Sequence, residues 1–125
     1  MKKLLLTLLL GAMALGAQTR VFELRTYYTK DGRLPALLER FGSHTTALFE
    51  KHGMTNIGYW VPMDKPNQLI YILAHPSIEE AKKNWEAFRT DPEWIKVKNE
   101  SEASGPIVDK VESVYMTPAA FSKLK

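Results

Sequence analysis

Residues 54–76, MTNIGYWVPMDKPNQLIYILAHP, decide how this chain folds. Two strand-like runs flank a loop that carries Pro62 and Pro66. Successive side chains of a strand point to opposite faces. Thr55, Ile57, Tyr59 and Val61 are therefore read on one side of the first run, with Met54, Asn56, Gly58 and Trp60 on the other. In the second run Leu69, Tyr71, Leu73 and His75 share one side, and Ile70, Ile72 and Ala74 the opposite one. Both faces of the hairpin are apolar, so each requires cover.

Upstream, residues 20–29 (RVFELRTYYT) are rich in β-branched and aromatic side chains and read as a strand. Phe22, Leu24, Thr26 and Tyr28 form one face; Val21, Glu23, Arg25 and Tyr27 form a second, mixed face. Lys30-Asp31-Gly32 supplies a turn. Between residues 34 and 52 the period becomes helical, with Leu34, Leu37, Leu38, Phe41, Thr45, Leu48, Phe49 and His52 on one stripe. Pro35 is tolerated in the first turn, and Gly53 stands where a left-handed C-terminal residue is expected.

Downstream of the hairpin, Ser77 and Glu80 form a capping box that opens a helix buried through Ile78, Ala81, Trp85 and Phe88. Asp91-Pro92 starts a shorter helix carrying Trp94 and Val97. Gly105-Pro106 stops it, residues 107–116 (IVDKVESVYM) read as a last strand, and Thr117-Pro118 caps a short turn with Phe121 and Leu124. The order β-α-β-β-α-(α)-β predicts an α+β, ferredoxin-like fold with a four-stranded antiparallel sheet and helices on one face. Helices cover only one face. Leaving about four large apolar side chains wet on the other forgoes roughly 1.5–3 kcal/mol each, against a domain stability of about 5–15 kcal/mol. The expectation is a homodimer with its two sheets packed face to face.

Residues 1–17 carry Lys2 and Lys3, then an apolar run, then the small residues of Ala14-Leu15-Gly16-Ala17. This is the pattern of a secretory signal peptide, too short for the roughly 20 apolar residues of a membrane anchor. It predicts a periplasmic or secreted protein with no stable membrane insertion after cleavage, and a single domain over 18–125. Removing Lys2 and Lys3 from the 17 basic residues leaves 15 against 14 acidic ones. Such a balance lacks the clustered basic face that nucleic acid requires. The absence of cysteine excludes disulfides, thiol nucleophiles and iron–sulfur ligation.

The runs Val21-Phe22-Glu23-Leu24-Arg25-Thr26-Tyr27, Arg40-Phe41 with His44, Leu48-Phe49-Glu50-Lys51-His52-Gly53-Met54, Gly58-Tyr59-Trp60, Asp91-Pro92-Glu93-Trp94 and the tail Met116-Thr117-Pro118-Ala119-Ala120-Phe121-Ser122, in this order and spacing, resemble the NIPSNAP domain. The resemblance spans the chain after the leader. It implies a dimeric α+β barrel and leaves the chemistry open.

No phosphate loop, metal-spaced ligand set or nucleophile elbow is present, and no cofactor is implied. His44 is the first catalytic candidate, as a helix-flank base or cofactor ligand beside the sheet; the alternative is a hydrogen-bonded structural histidine. His52 reads as a helix-end residue. The two lie eight residues apart, about 12 Å along a helix, too far to share a metal. His75, before Pro76, reads as a strand-to-helix junction. Glu23, Arg25 and Tyr27 form a polar patch suited to orienting a small anionic or phenolic ligand if their face lines the dimer interior; the alternative is an ion pair across strands or across the dimer, for example with Lys110 or Glu112. Trp60, Trp85 and Trp94 either wall a planar ligand or serve the core. Two functions follow. One is a small-molecule binder or enzyme with a cleft between sheet and helices, lined by Glu23, Arg25, Tyr27, His44 and Trp60. The other is a non-catalytic protein-interaction module with a filled dimer core.

Overall fold

The computed structural model describes residues 19–125, so the leader expected over 1–17 lies outside the described residues. The elements are β1 (Val21–Thr29), α1 (Leu34–Arg40), a π-helical turn (Phe41–Thr45), α2 (Thr46–Lys51), β2 (Thr55–Trp60), β3 (Gln68–His75), α3 (Ile78–Arg89), α4 (Pro92–Ser101) and β4 (Val108–Met116). The four strands form one antiparallel sheet in the order β2-β3-β1-β4, the ferredoxin-like arrangement read from the element order. Among the described residues no helix is long and apolar enough to cross a membrane.

Local chemistry sets the element ends. Ser77 Oγ accepts from the backbone NH of Glu80 at 3.1 Å and starts α3. Asp91 accepts from the NH of Glu93 at 2.8 Å and starts α4. Gly53 ends α2 at φ +82°, a left-handed conformation that a Cβ would strain, and a Cβ there would also meet Asn84 Nδ2 at 2.9 Å.

Two expectations are corrected. The helix read over 34–52 is broken by the π turn, which inserts an extra residue per turn. Thr45 Oγ1 donates to the Arg40 carbonyl at 3.2 Å and Thr46 Oγ1 to that of Phe41 at 3.1 Å, both spanning five residues. The turn keeps Phe41, Leu48 and Phe49 buried, while Leu38, expected in the stripe, is exposed. Strict alternation also fails in β2, where a bulge lies between Asn56 and Gly58. Thr55 therefore pairs with Ala74 and Asn56 with Leu73, while Gly58, Tyr59 and Trp60 pair with Ile72, Tyr71 and Ile70. Asn56 joins Tyr59 on the helix side, where its amide donates to the Thr46 carbonyl at 2.9 Å and the Tyr59 hydroxyl donates to it.

The core lies between the helices and the face formed by Tyr59, Leu69, Tyr71, Leu73 and the mixed side of β1. Tyr71, fully buried, is its hub: the rings of Tyr59, Phe41, Tyr27 and Phe49 lie 4.9, 5.2, 5.5 and 5.9 Å from it. The opposite face carries Leu24, Ile70, Ile72, Trp60 and Val114 without helical cover. Trp60 is half-exposed and lies over Gly58, where a Cβ would come within 2.6 Å of the indole. A side chain at position 58 would make the ring shift. The tail lies against the end of this face, where Leu124 and Pro118 border a groove of about 210 Å³ with Phe22 and Ile72.

Candidate functional site

The mixed face of β1 lies under the helices. Glu23 stands opposite Leu73 of β3 and Tyr115 of β4, and Arg25 opposite Tyr71 and Ser113. Glu23 is 1 % exposed. A buried carboxylate requires donors on its lone pairs, and four converge. Oε1 accepts from His75 Nε2 and from Trp85 Nε1, each at 2.8 Å. Oε2 accepts from Ser113 Oγ at 2.6 Å and from Arg25 Nη1 at 3.0 Å. Burial by itself pushes this carboxyl up; His75, Ser113, Trp85 and the Arg25 charge outweigh burial and hold the pKa down to about 2. At neutral pH Glu23 is an ionised, fully engaged anchor.

Arg25 continues the network. Its Nε donates to Tyr71 Oη at 2.8 Å, its Nη2 points to Tyr27 Oη at 3.4 Å, and its guanidinium lies 4.2 Å from the Trp85 ring centroid. Burial works against its charge, and Tyr27, Tyr71 and Glu23 overcome this, holding it cationic. Burial, with Tyr27 adding to it, pushes Tyr71 well above the usual phenol range. Tyr71 is neutral. It accepts from Arg25 and donates to Tyr27 Oη at 3.2 Å.

Tyr27 ends this chain and is only half-buried. Its ring is held edge-on by Phe41, the first residue of the π turn, at 5.5 Å. It lines a cleft of about 280 Å³ between α4 and β4, together with Arg40, Trp94, Lys98, Glu102, Pro106, Val108 and Val111. The cleft exists because the helices stop short of β4, leaving Val111 and Tyr115 on the helix side of that strand exposed. Arg40 is 4 % exposed; its Nη1 donates to Ser101 Oγ at 3.1 Å and Glu102 Oε2 at 3.3 Å, and it stacks 5.1 Å from the Trp94 ring. Its Nε is buried and has no partner among the described residues. Lys98 Nζ pairs with Glu102 Oε1 at 3.1 Å. Two cations thus share one carboxylate, and the cleft wall carries net positive charge.

The five residues read as site candidates divide. Glu23, Arg25 and Tyr27 are one connected group, in contact with the helix-side core. His44 is not beside the sheet: the π turn carries it outward, where it is exposed and borders a separate groove with Glu39, Arg40, Glu100 and Ser101. Trp60 lies on the opposite face of the sheet. Lys110 and Glu112, offered as ion partners for the group, also face away; Glu112 accepts from Tyr28 Oη at 2.7 Å and Lys110 lies over the Tyr28 ring. The ion pair is instead Glu23 with Arg25, two residues along the same strand.

His75, Trp85, Ser113 and Tyr71 were not read as members of the network. His75 is fully buried, and its place on the Leu69-Tyr71-Leu73 face is the signal that brings it to Glu23. Arg40 carried a signal too: three residues after Leu37 and one before Phe41, a cation interrupts the buried stripe. His52 is a helix-end residue as expected; its Nε2 lies 2.7 Å from Asp91 Oδ2, which Lys51 also meets at 2.8 Å. The Lys51 and His52 hydrogen bonds, with the backbone NH of Glu93, hold Asp91 well below the usual carboxylate range. Among the described residues no three His, Asp or Glu side chains are grouped as a metal site requires.

Comparison with known proteins gives a consistent fold. A NIPSNAP family protein of unknown function from Agrobacterium tumefaciens superposes with a TM-score of 0.75 at 23% identity, over 88% of this chain and 97% of that one. SnoaB, a cofactor-independent oxygenase from Streptomyces nogalater, matches at 0.62 and 14% identity, over 84% and 98%. A monooxygenase of Streptomyces coelicolor in complex with Nanaomycin D matches at 0.59 and 16%, over 82% and 90%. At these identities the likeness establishes a shared fold alone. No curated protein sequence matches. The NIPSNAP family model matches residues 22–123, and the chain belongs to the NIPSNAP family.

Proposed function

We propose that this NIPSNAP protein is exported, forms a homodimer, and binds a small molecule in the cleft between sheet and helices, where β1 meets the gap between α4 and β4. One observation carries the binding reading: the Glu23–Arg25–Tyr71–Tyr27 chain of hydrogen bonds ends on a side chain that lines a cleft with an aromatic wall and net positive charge. A pocket with flat apolar walls and a few oriented polar groups is the usual form of a ligand site. A cofactor-independent oxygenase and a monooxygenase share the fold, the latter in complex with the ligand Nanaomycin D, which adds weight by analogy of fold.

The direct test fills the cleft. Val111→Trp places an indole where the ligand would lie, on an exposed position of β4. Ligands found by native mass spectrometry of the mature protein are expected to bind this variant about tenfold more weakly or worse, a loss of about 1.4 kcal/mol. Binding unchanged by Val111→Trp contradicts the reading. A non-catalytic interaction module is the second reading, and one observation favours it: the aromatic interior around Tyr71 is filled and the four donors saturate Glu23, as in a purely structural network.

A further inference from the structure

Resting on the α4–β4 cleft as the ligand site, we propose that its ligand is a planar phenol or enol, bound through its acidic oxygen as the oxyanion, with Tyr27 as the hydrogen-bond donor. The direction of the protons follows from Arg25. A guanidinium only donates, so Tyr71 Oη accepts from Arg25 Nε at 2.8 Å, and the Tyr71 proton goes to Tyr27 Oη at 3.2 Å. Arg25 Nη2 approaches the same Tyr27 oxygen at 3.4 Å. Both partners of Tyr27 therefore donate to it, and its own proton has no acceptor among the described residues. A hydroxyl whose oxygen accepts from two donors, one of them cationic, is polarised into a stronger donor.

Glu23 neutralises Arg25 but does so from the far side. The pair turns its positive end toward the two phenols, and Glu23 has no lone pair left to reach further. At the cleft wall Arg40 and Lys98 face a single carboxylate, Glu102, so the surroundings favour the ionised form of an acidic ligand. Arg40 is 96 % buried, and its unpartnered Nε sets it apart from a cation satisfied by its ion pair. Shape selects a ring. Trp94 and the valines Val108 and Val111 supply apolar walls, and about 280 Å³ exceeds the roughly 150 Å³ that holds a benzene ring. On binding, the ligand's proton passes to solvent and Tyr27 keeps its own.

The test is a spectroscopic titration of 4-nitrophenol, whose ionisation changes its absorbance, alone and with the mature protein, beside binding of nitrobenzene, which has the same ring and no acidic oxygen. The bound phenol is expected to ionise about one pH unit lower than the free one, a tenfold gain for the oxyanion. Tyr27→Phe is expected to abolish that shift while nitrobenzene binding persists. Tyr71→Phe, which removes the proton delivered to Tyr27, is expected to reduce it, and serves in place of Tyr27→Phe if circular dichroism shows that variant unfolded. Binding of both probes with no shift overturns the oxyanion proposal and leaves the cleft as a ligand site. A shift that survives Tyr27→Phe, or one that Tyr71→Phe leaves undiminished where that variant stands in, overturns the role of Tyr27. Failure of both probes to bind at millimolar concentration overturns the proposal and the cleft together.

Discussion

At the scale of the residue, Glu23 organises the helix side of the sheet. Its four donors come from β1, β3, α3 and β4, so one carboxylate ties four elements. Removing one member of a buried ion pair leaves the other charge uncompensated. Glu23→Gln is expected to destabilise the fold by about 3 kcal/mol, measured by urea denaturation at neutral pH. The pH dependence has a fixed sign. The folded pKa is depressed from 4.5 to about 2, so the stabilisation is fully present above about pH 4.5 and is lost as pH falls toward 2. Denaturation midpoints across that window should fall in the wild type and lose this component in Glu23→Gln. The grouping of Glu23, Arg25 and Tyr27 was legible from two-residue alternation along one strand. Their partners were not, because Ser113 and Trp85 reach Glu23 across 90 and 62 residues of chain, and only strand register and helix crossing bring them there.

Among the elements, the π turn does most to place the site. It turns His44 out to solvent and keeps Phe41 against Tyr27. A sequence with an unbroken apolar stripe reads as one helix, since a single inserted residue leaves the composition untouched; the two threonine hydroxyls that satisfy the freed carbonyls are its trace. Thr45→Val keeps the shape of this buried side chain and deletes its bond to the Arg40 carbonyl. The expected cost is about 1 kcal/mol, read from the same denaturation experiment, and no cost would mean that the hydroxyl does not support the turn. The β2 bulge is the same kind of failure. An extra residue breaks the period of two and reverses the faces of Thr55 and Asn56, which is why the first half of the opening hairpin was misread and the second half was not.

For the whole molecule, the fold class and element order were legible, because helix caps, turn residues and the change from period two to period 3.6 all agree. The open sheet face follows from the same reading, with Trp60 and Val114 exposed on it. Its cover by a second copy is proposed from the cost of leaving that surface wet. Val114→Lys puts a charge on the exposed β4 side of that face, and the expected outcome by light scattering is a wild-type dimer at micromolar concentration and a monomeric variant; a wild-type monomer contradicts the dimer. The central claim concerns the other side of the sheet, where Arg25, Tyr71 and Tyr27 lead to the α4–β4 cleft. A crystal structure of the protein soaked with 4-nitrophenol tests it most directly. The account predicts the ring between Trp94 and Val111, with its oxygen about 2.7 Å from Tyr27 Oη. A ring found instead in the groove beside His44, or no ring in the cleft at all, would contradict it.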